Sequence, residues 1–256
     1  MTTILAELHR RQPILAWAGW VAVAALAFSL AAMAVDGRSF NGLSVWTKPA
    51  KFAASFIPWF WTFAWAWGVL APAARRGFAA GLVLWVTLGA AAYEQAWITW
   101  RAALGLPSHF ATDTLGAVMY QLMGLGAVLL VAMAALLGVL VLLRGDRTQP
   151  RPWRLAVGVG LVITGVLGAF TGFAIGSRST PLIGGSAGGL PPFYWSNNGG
   201  DLRIAHFLAV HAMQALPAFW LLTRAGPARI WLGALGWMAV TLAAFALARN
   251  GVALSV

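Results

Sequence analysis

Seven apolar runs, near residues 13–35, 52–73, 78–102, 113–143, 153–177, 202–223 and 228–249, govern what this chain can fold into. Each is long enough to cross the ~30 Å hydrocarbon core of a bilayer. Lipid offers backbone N–H and C=O groups no partners, so a crossing segment must satisfy them internally, as a helix does. The fold class expected is all-α: a polytopic membrane bundle of seven transmembrane helices, one domain over residues 1–256. The fourth run, about 31 residues, must tilt or protrude. Breaks fall at Asp36-Gly37, Ala71-Pro72, Gly105-Leu106-Pro107, Arg144-Gly145-Asp146, Pro181 to Pro192, and Ala225-Gly226-Pro227. No internal repeat supports an inverted-repeat transporter, and no polar stretch is long enough to build a second core.

Composition agrees. Hydrophobic residues make up 61% of the chain and charged ones 9%, where a soluble domain carries roughly a quarter. The net charge of +11 arises from Lys and Arg scattered over short connections, which is a topology signal and not a nucleic-acid groove. With no cysteine there are no disulfides and no thiolate metal or iron–sulfur sites, so a metal would rest on His, Asp, Glu or a neutral oxygen. Arg10-Arg11 before a run ending Ala32-Met33-Ala34 has the outline of a cleavable signal peptide. The run is long for one and reads as the first transmembrane helix. Ten basic residues fall on the side of Arg10 and Arg11 and seven on the side of Arg38, giving a cytoplasmic N-terminus and an outward C-terminus. Asp36, Glu94, Asp113 and Asp201 all fall on the outward half.

That half gathers the candidate site. The sixth run opens at Asn197-Asn198-Gly199-Gly200-Asp201 and carries Arg203, His206, His211 and Gln214 into the bilayer, where ionisable groups are costly unless paired or hydrated. Asp201 is the expected N-cap. Counted from it, His206 lies about 7 Å deep and His211 about 15 Å. A spacing of five splays the two imidazoles, so they do not clamp one ion from a single helix face. Pro217 frees the carbonyl of Met213. On the third run, Glu94, Trp97 and Arg101 share a face, with Glu94 about 10 Å below Arg101 and Arg101 or Arg203 as its expected ion-pair partner. His109 sits in the loop before helix 4, capped by Thr112 or Asp113. Lys48 and Lys51, the only lysines, stand at the mouth of helix 2, where snorkelling alone would explain them. Gly184-Gly185-Ser186-Ala187-Gly188 matches G-x-S-x-G but lacks the strand–turn–helix elbow a serine nucleophile needs. Pro191 to Trp195 reads as an aromatic interfacial cap.

The blocks Trp46 to Phe52, Pro107-Ser108-His109-Phe110 and Gly200 to Gln214 resemble those of a family of bacterial multi-pass membrane proteins with no assigned activity. The resemblance spans Trp46 to Gln214 and implies the bacterial inner membrane. One departure is Ser179-Thr180, where the family carries His-Thr.

The leading expectation is an outward-facing site for haem b or a His/Glu-bound transition metal, serving redox or metal-dependent chemistry on a lipid-soluble substrate. Its ligands would come from His109, His206, His211 and Glu94, with Glu94 and His109 doing the catalysis. Arg101, Arg203, Lys48, Lys51 and Gln214 would hold the cofactor. The alternatives are a transporter or receptor for a small anionic ligand, with the same cations as an attracting funnel, and a scaffold subunit of a membrane complex or homo-oligomer.

Overall fold

The computed structural model describes residues 3–40, 42–109, 111, 113–178, 180–186 and 188–254. Thr112, one of the two expected caps, lies outside the described residues, as do Phe110, Ser179 and Ala187 of the blocks above. In chain order the described residues form α1 (Ile4–Arg11), α2 (Pro13–Val35), β1 (Ser39–Phe40), β2 (Leu43–Ser44), α3 (Thr47–Trp67), α4 (Pro72–Arg75), α5 (Phe78–Ala103), α6 (Thr114–Arg144), α7 (Arg151–Gly176), β3 (Leu182–Ile183), β4 (Gly200–Asp201), α8 (Leu202–Val210), α9 (Ala212–Thr223) and α10 (Pro227–Arg249). Two antiparallel pairs, β1 with β2 and β3 with β4, are the only sheets among them.

The protein is all-helical apart from those short pairs. Four helices (α2, α6, α7 and α10) are long and apolar enough to cross a membrane, and α8 with α9 makes a fifth crossing if a 53° bend is allowed. α3 and α5 have crossing length, 21 and 26 residues, but lysines, tryptophans and Glu94-Gln95 lower their apolar content. α3 starts at Thr47, ahead of the expected 52, because Pro49 falls in its first turn, where a missing N–H costs nothing. An additional helix, α1, precedes the first apolar run. Thr3 caps it, Glu7 pairs with Arg10 and Arg11, and the Gln12 side chain then caps α2 by accepting from Ile14 N at 3.0 Å.

Contacts divide the chain into two compact units, Met1–Gly68 with Leu84–Leu130 and Val69–Val83 with Val131–Val256, so α5 and α6 contribute residues to both. In the first unit α2 packs along α3. Gly19 leaves room for the Trp61 indole, which donates to Ala16 O at 3.3 Å, and Arg11 donates to Trp65 O at 2.9 Å while lying over the Trp65 ring. Asp36, just past α2, accepts from Arg38 and from the Trp46 indole at 2.7 Å, and those two donors hold its carboxyl well below the usual range. That knot sets where α3 begins, and hence where Lys48 stands.

In the second unit α7 is the central helix, packed on α8, α9 and α10. Val159 and Ile163 meet Ala212, Leu216 and Ala234 in its core. Glycines bring the backbones close, as small residues do where lipid supplies no hydrophobic drive between helices. A Cβ at Gly138 would stand 2.6 Å from Gly158 O, and one at Gly160 2.7 Å from Ala212 O.

Candidate functional site

The first unit holds Lys48, Glu94, Arg101 and His109. Glu94 is 2% exposed, on α5, and its Oε1 accepts no hydrogen bond. A Cβ at Gly126 of α6 would stand 3.0 Å from that oxygen, so glycine there leaves space for the carboxyl. Gly126 also lines an apolar groove of about 370 Å³ between α5 and α6, with Gly89, Ala90 and Tyr93 on the facing helix. The next residue, Gln95, donates to Pro49 O at 3.3 Å and to Thr99 Oγ1 at 3.1 Å, tying α5 to the first turn of α3 beside Lys48. The Lys48 ammonium lies within Coulombic range of both the Glu94 carboxyl and the His109 imidazole. Lys51 lies in the same opening turns of α3.

Arg101 does not pair with Glu94. It is 2% exposed and turns to the following loop, donating from Nε to Pro107 O at 2.9 Å and from its terminal nitrogens to Asp113 at 2.6 and 3.3 Å. The Trp97 indole, one turn earlier, donates to Ser108 O at 3.2 Å. Asp113 caps α6, accepting from Gly116 N at 2.9 Å. Arg101 is therefore the strap that positions the His109 loop, a role the sequence did not separate from ligand binding. Arg101→Met should lower stability by about 1–2 kcal/mol, since the net value of each lost hydrogen bond is modest. Hydrogen exchange should accelerate over residues 104–109. Asp113→Asn should cost at least as much, because it leaves the Arg101 guanidinium, 3% exposed, without its counter-charge even though asparagine still caps the helix.

His109 is half-buried between Phe52 and Tyr120, ring centroids 5.7 and 5.6 Å away, with Ser108 Oγ 3.2 Å from Nδ1. Burial first, and then the Lys48 ammonium, hold this imidazole well below its ordinary value. The folded protein thus resists a proton that the unfolded chain takes at roughly pH 6.5. The stability this contributes is complete above that pH and is lost as pH falls through it, at up to about 1.4 kcal/mol per pH unit. Thermal unfolding from about pH 7.5 to about pH 5 should show a steeper decline for the wild type than for His109→Gln. Equal slopes would mean that the ring protonates freely in the folded state.

The second unit holds Arg203, His206, His211 and Gln214. Asp201 caps α8 as expected, accepting from Arg203 N at 3.0 Å and from Ser196 N at 2.9 Å. It also takes the Arg203 guanidinium at 2.5 Å, whose other donation goes to Tyr194 O at 2.9 Å. Arg203 is a local strap like Arg101, engaged by Asp201 and not by Glu94. His206 Nδ1 lies 2.9 Å from Thr171 Oγ1, and Thr171 donates its own proton to Leu167 O at 2.7 Å. The hydroxyl can then only accept from the imidazole, so Nδ1 carries the proton and Nε2 keeps its lone pair. Gly172 of α7 makes room for the ring.

At His211 the helix breaks, which the uninterrupted sixth run did not foreshadow. Thr164 Oγ1 donates to Val210 O at 3.2 Å and accepts from Met213 N at 3.0 Å, while the Trp237 indole donates to Leu208 O at 2.9 Å. Side chains from α7 and α10 thus replace the backbone bonds that the bend removes. The His211 ring lies 4.1 Å from Phe207 and shares a hydrogen bond with Gln214. Phe193 and Trp195, stacked at 4.4 Å, pack edge-on against Phe207, as expected of an aromatic cap. Ser186 is held by Asn198 on both sides, and among the described residues no histidine or acid engages its hydroxyl.

Among the described residues, no group of three or more His, Asp or Glu side chains is gathered to hold a metal ion. The four expected ligands are divided between the units, Glu94 and His109 in the first, His206 and His211 in the second. The described residues therefore give no support to a His/Glu metal centre. The structure also added partners that sequence reading passed over. Thr164 and Thr171 lie seven apart in the apolar stretch of α7, hence on one face, and that spacing was the available signal. Comparison with protein-family models, curated proteins and solved structures returns no match for this chain.

Proposed function

We propose that this is a proton-linked transporter or receptor for a small anion, with Lys48, Glu94 and His109 as its binding site. The observation that carries the reading is the unpartnered Oε1 of Glu94, 2% exposed, within Coulombic range of Lys48. A carboxyl in such a place needs a proton or a cation, and intramembrane ionisable groups mark ligand and proton paths. An anion drawn to Lys48 adds negative charge to the same low-dielectric space, and a proton on Glu94 is the least costly compensation. Binding of the anion and of a proton are then linked, one for one. His109, kept neutral, supplies a hydrogen bond without competing for that proton.

The same reading places seven crossings in the bacterial inner membrane, N-terminus cytoplasmic and C-terminus outward. The arginine distribution and the resemblance of the Trp46 to Gln214 blocks support it. The metal reading has no comparable support, since no group of three or more possible ligands is gathered among the described residues. The test uses proteoliposomes holding a pH-sensitive dye, challenged from outside with acetate, lactate, benzoate or chloride. Entry of protons with at least one anion is expected to exceed that into protein-free liposomes, which the neutral forms of acetate, lactate and benzoate cross unaided. Protons that follow none of the four would overturn transport, and anion-dependent thermal stabilisation that is also absent, or unchanged in Lys48→Gln, would overturn the receptor reading as well.

A further inference from the structure

At one end of the second unit the last turns of α7 and α10 meet the start of α8 around a half-open pocket of about 180 Å³. Ala174, Leu202 and Phe245 form its apolar floor, and Ser177, Arg178 and Arg249 its polar rim. Each arginine alone has an ordinary explanation, a cation favoured at a helix C-terminus. Both are exposed, and together with Ser177 they face one small pocket. Water screens the repulsion between two exposed cations, but the lining includes no carboxylate, so an anion is the complementary occupant. Among the described residues neither Arg178 nor Arg249 has an ion-pair partner, whereas Arg38, Arg101 and Arg203 each have one.

We infer that this pocket binds a phosphate group. A tetrahedral anion offers enough oxygens to accept from two guanidinium forks and one hydroxyl together, whereas a planar carboxylate is filled by a single fork. The helices whose ends form the rim are two of those apolar enough to cross a membrane, so the pocket lies where the apolar layer stops. A phospholipid headgroup reaches that level with its chains along the floor, and inorganic phosphate reaches it from water. This site is separate from the Lys48–Glu94–His109 reading and survives its failure.

The test uses the full chain in neutral detergent. Phosphatidylglycerol adducts are counted by native mass spectrometry, and inorganic phosphate is followed by phosphorus NMR line broadening. One of the two probes should bind at one equivalent, with affinity falling about tenfold or more in R178Q/R249Q, as expected for lost charge-assisted bonds. Lipid binding without phosphate binding identifies a headgroup site. Phosphate that binds and displaces the lipid identifies a free-anion site. Binding of neither probe, or binding that the double variant leaves unchanged, overturns the inference. If the double variant does not fold, R249Q alone decides on the same criterion.

Discussion

Glu94→Gln should abolish proton entry linked to anion uptake, by about a hundredfold or more, while leaving the fold intact. Removing an ionisable group from a proton path eliminates the exchange itself, whereas lost hydrogen bonds only scale it. Gln preserves size and shape, and Oε1 has no hydrogen-bond partner to lose, so thermal stability should stay within about 1 kcal/mol of the wild type. Glu94→Asp should keep the linkage at reduced rate, since the carboxyl survives one methylene further from Gly126. Gly126→Ala provides an independent handle. Its Cβ would stand 3.0 Å from Oε1, displacing the carboxyl without changing its chemistry. Anion-driven acidification in proteoliposomes reads all three. Full activity in Glu94→Gln would show that the carboxyl only fills space.

Thr164→Val should cost about 3 kcal/mol. One hydroxyl serves both Val210 O and Met213 N at the break between α8 and α9, and each buried group left unpaired costs about 1–3 kcal/mol. Valine has nearly the volume of threonine, so the loss reports hydrogen bonding and not packing. Thr164→Ser should restore most of the stability. Detergent unfolding curves measure the difference, and hydrogen exchange should accelerate first at Met213. A valine variant as stable as the wild type would mean that the bend straightens into a continuous helix and regains its own bonds.

The caps show how far local chemistry carries. Asp201, and Asp113 as one of two candidates, precede apolar runs, and a carboxylate there satisfies N–H groups of its own first turn, so these caps were legible within a residue or two of sequence. Arg101 and Arg203 were not. They read as site cations because their charges lie near a membrane helix, yet Arg101 is neutralised by a residue twelve positions on and Arg203 by its neighbour Asp201. The aromatic cap at Phe193 and Trp195 was visible from composition, but its seat on Phe207 was not.

The all-helical character, the apolar runs and their approximate limits follow from sequence alone. Each depends on a chain segment meeting lipid, where the backbone must bond to itself. The tertiary structure decided which ionisable groups are engaged and which are not. Arg101 and Arg203 are used as straps, and His206 is fixed by Thr171, while Glu94 keeps an unpartnered oxygen beside Gly126. It also decided where the sixth run breaks. Thr164 and Trp237 come from two other helices, and a bend at His211 is tolerable only once they supply the missing bonds.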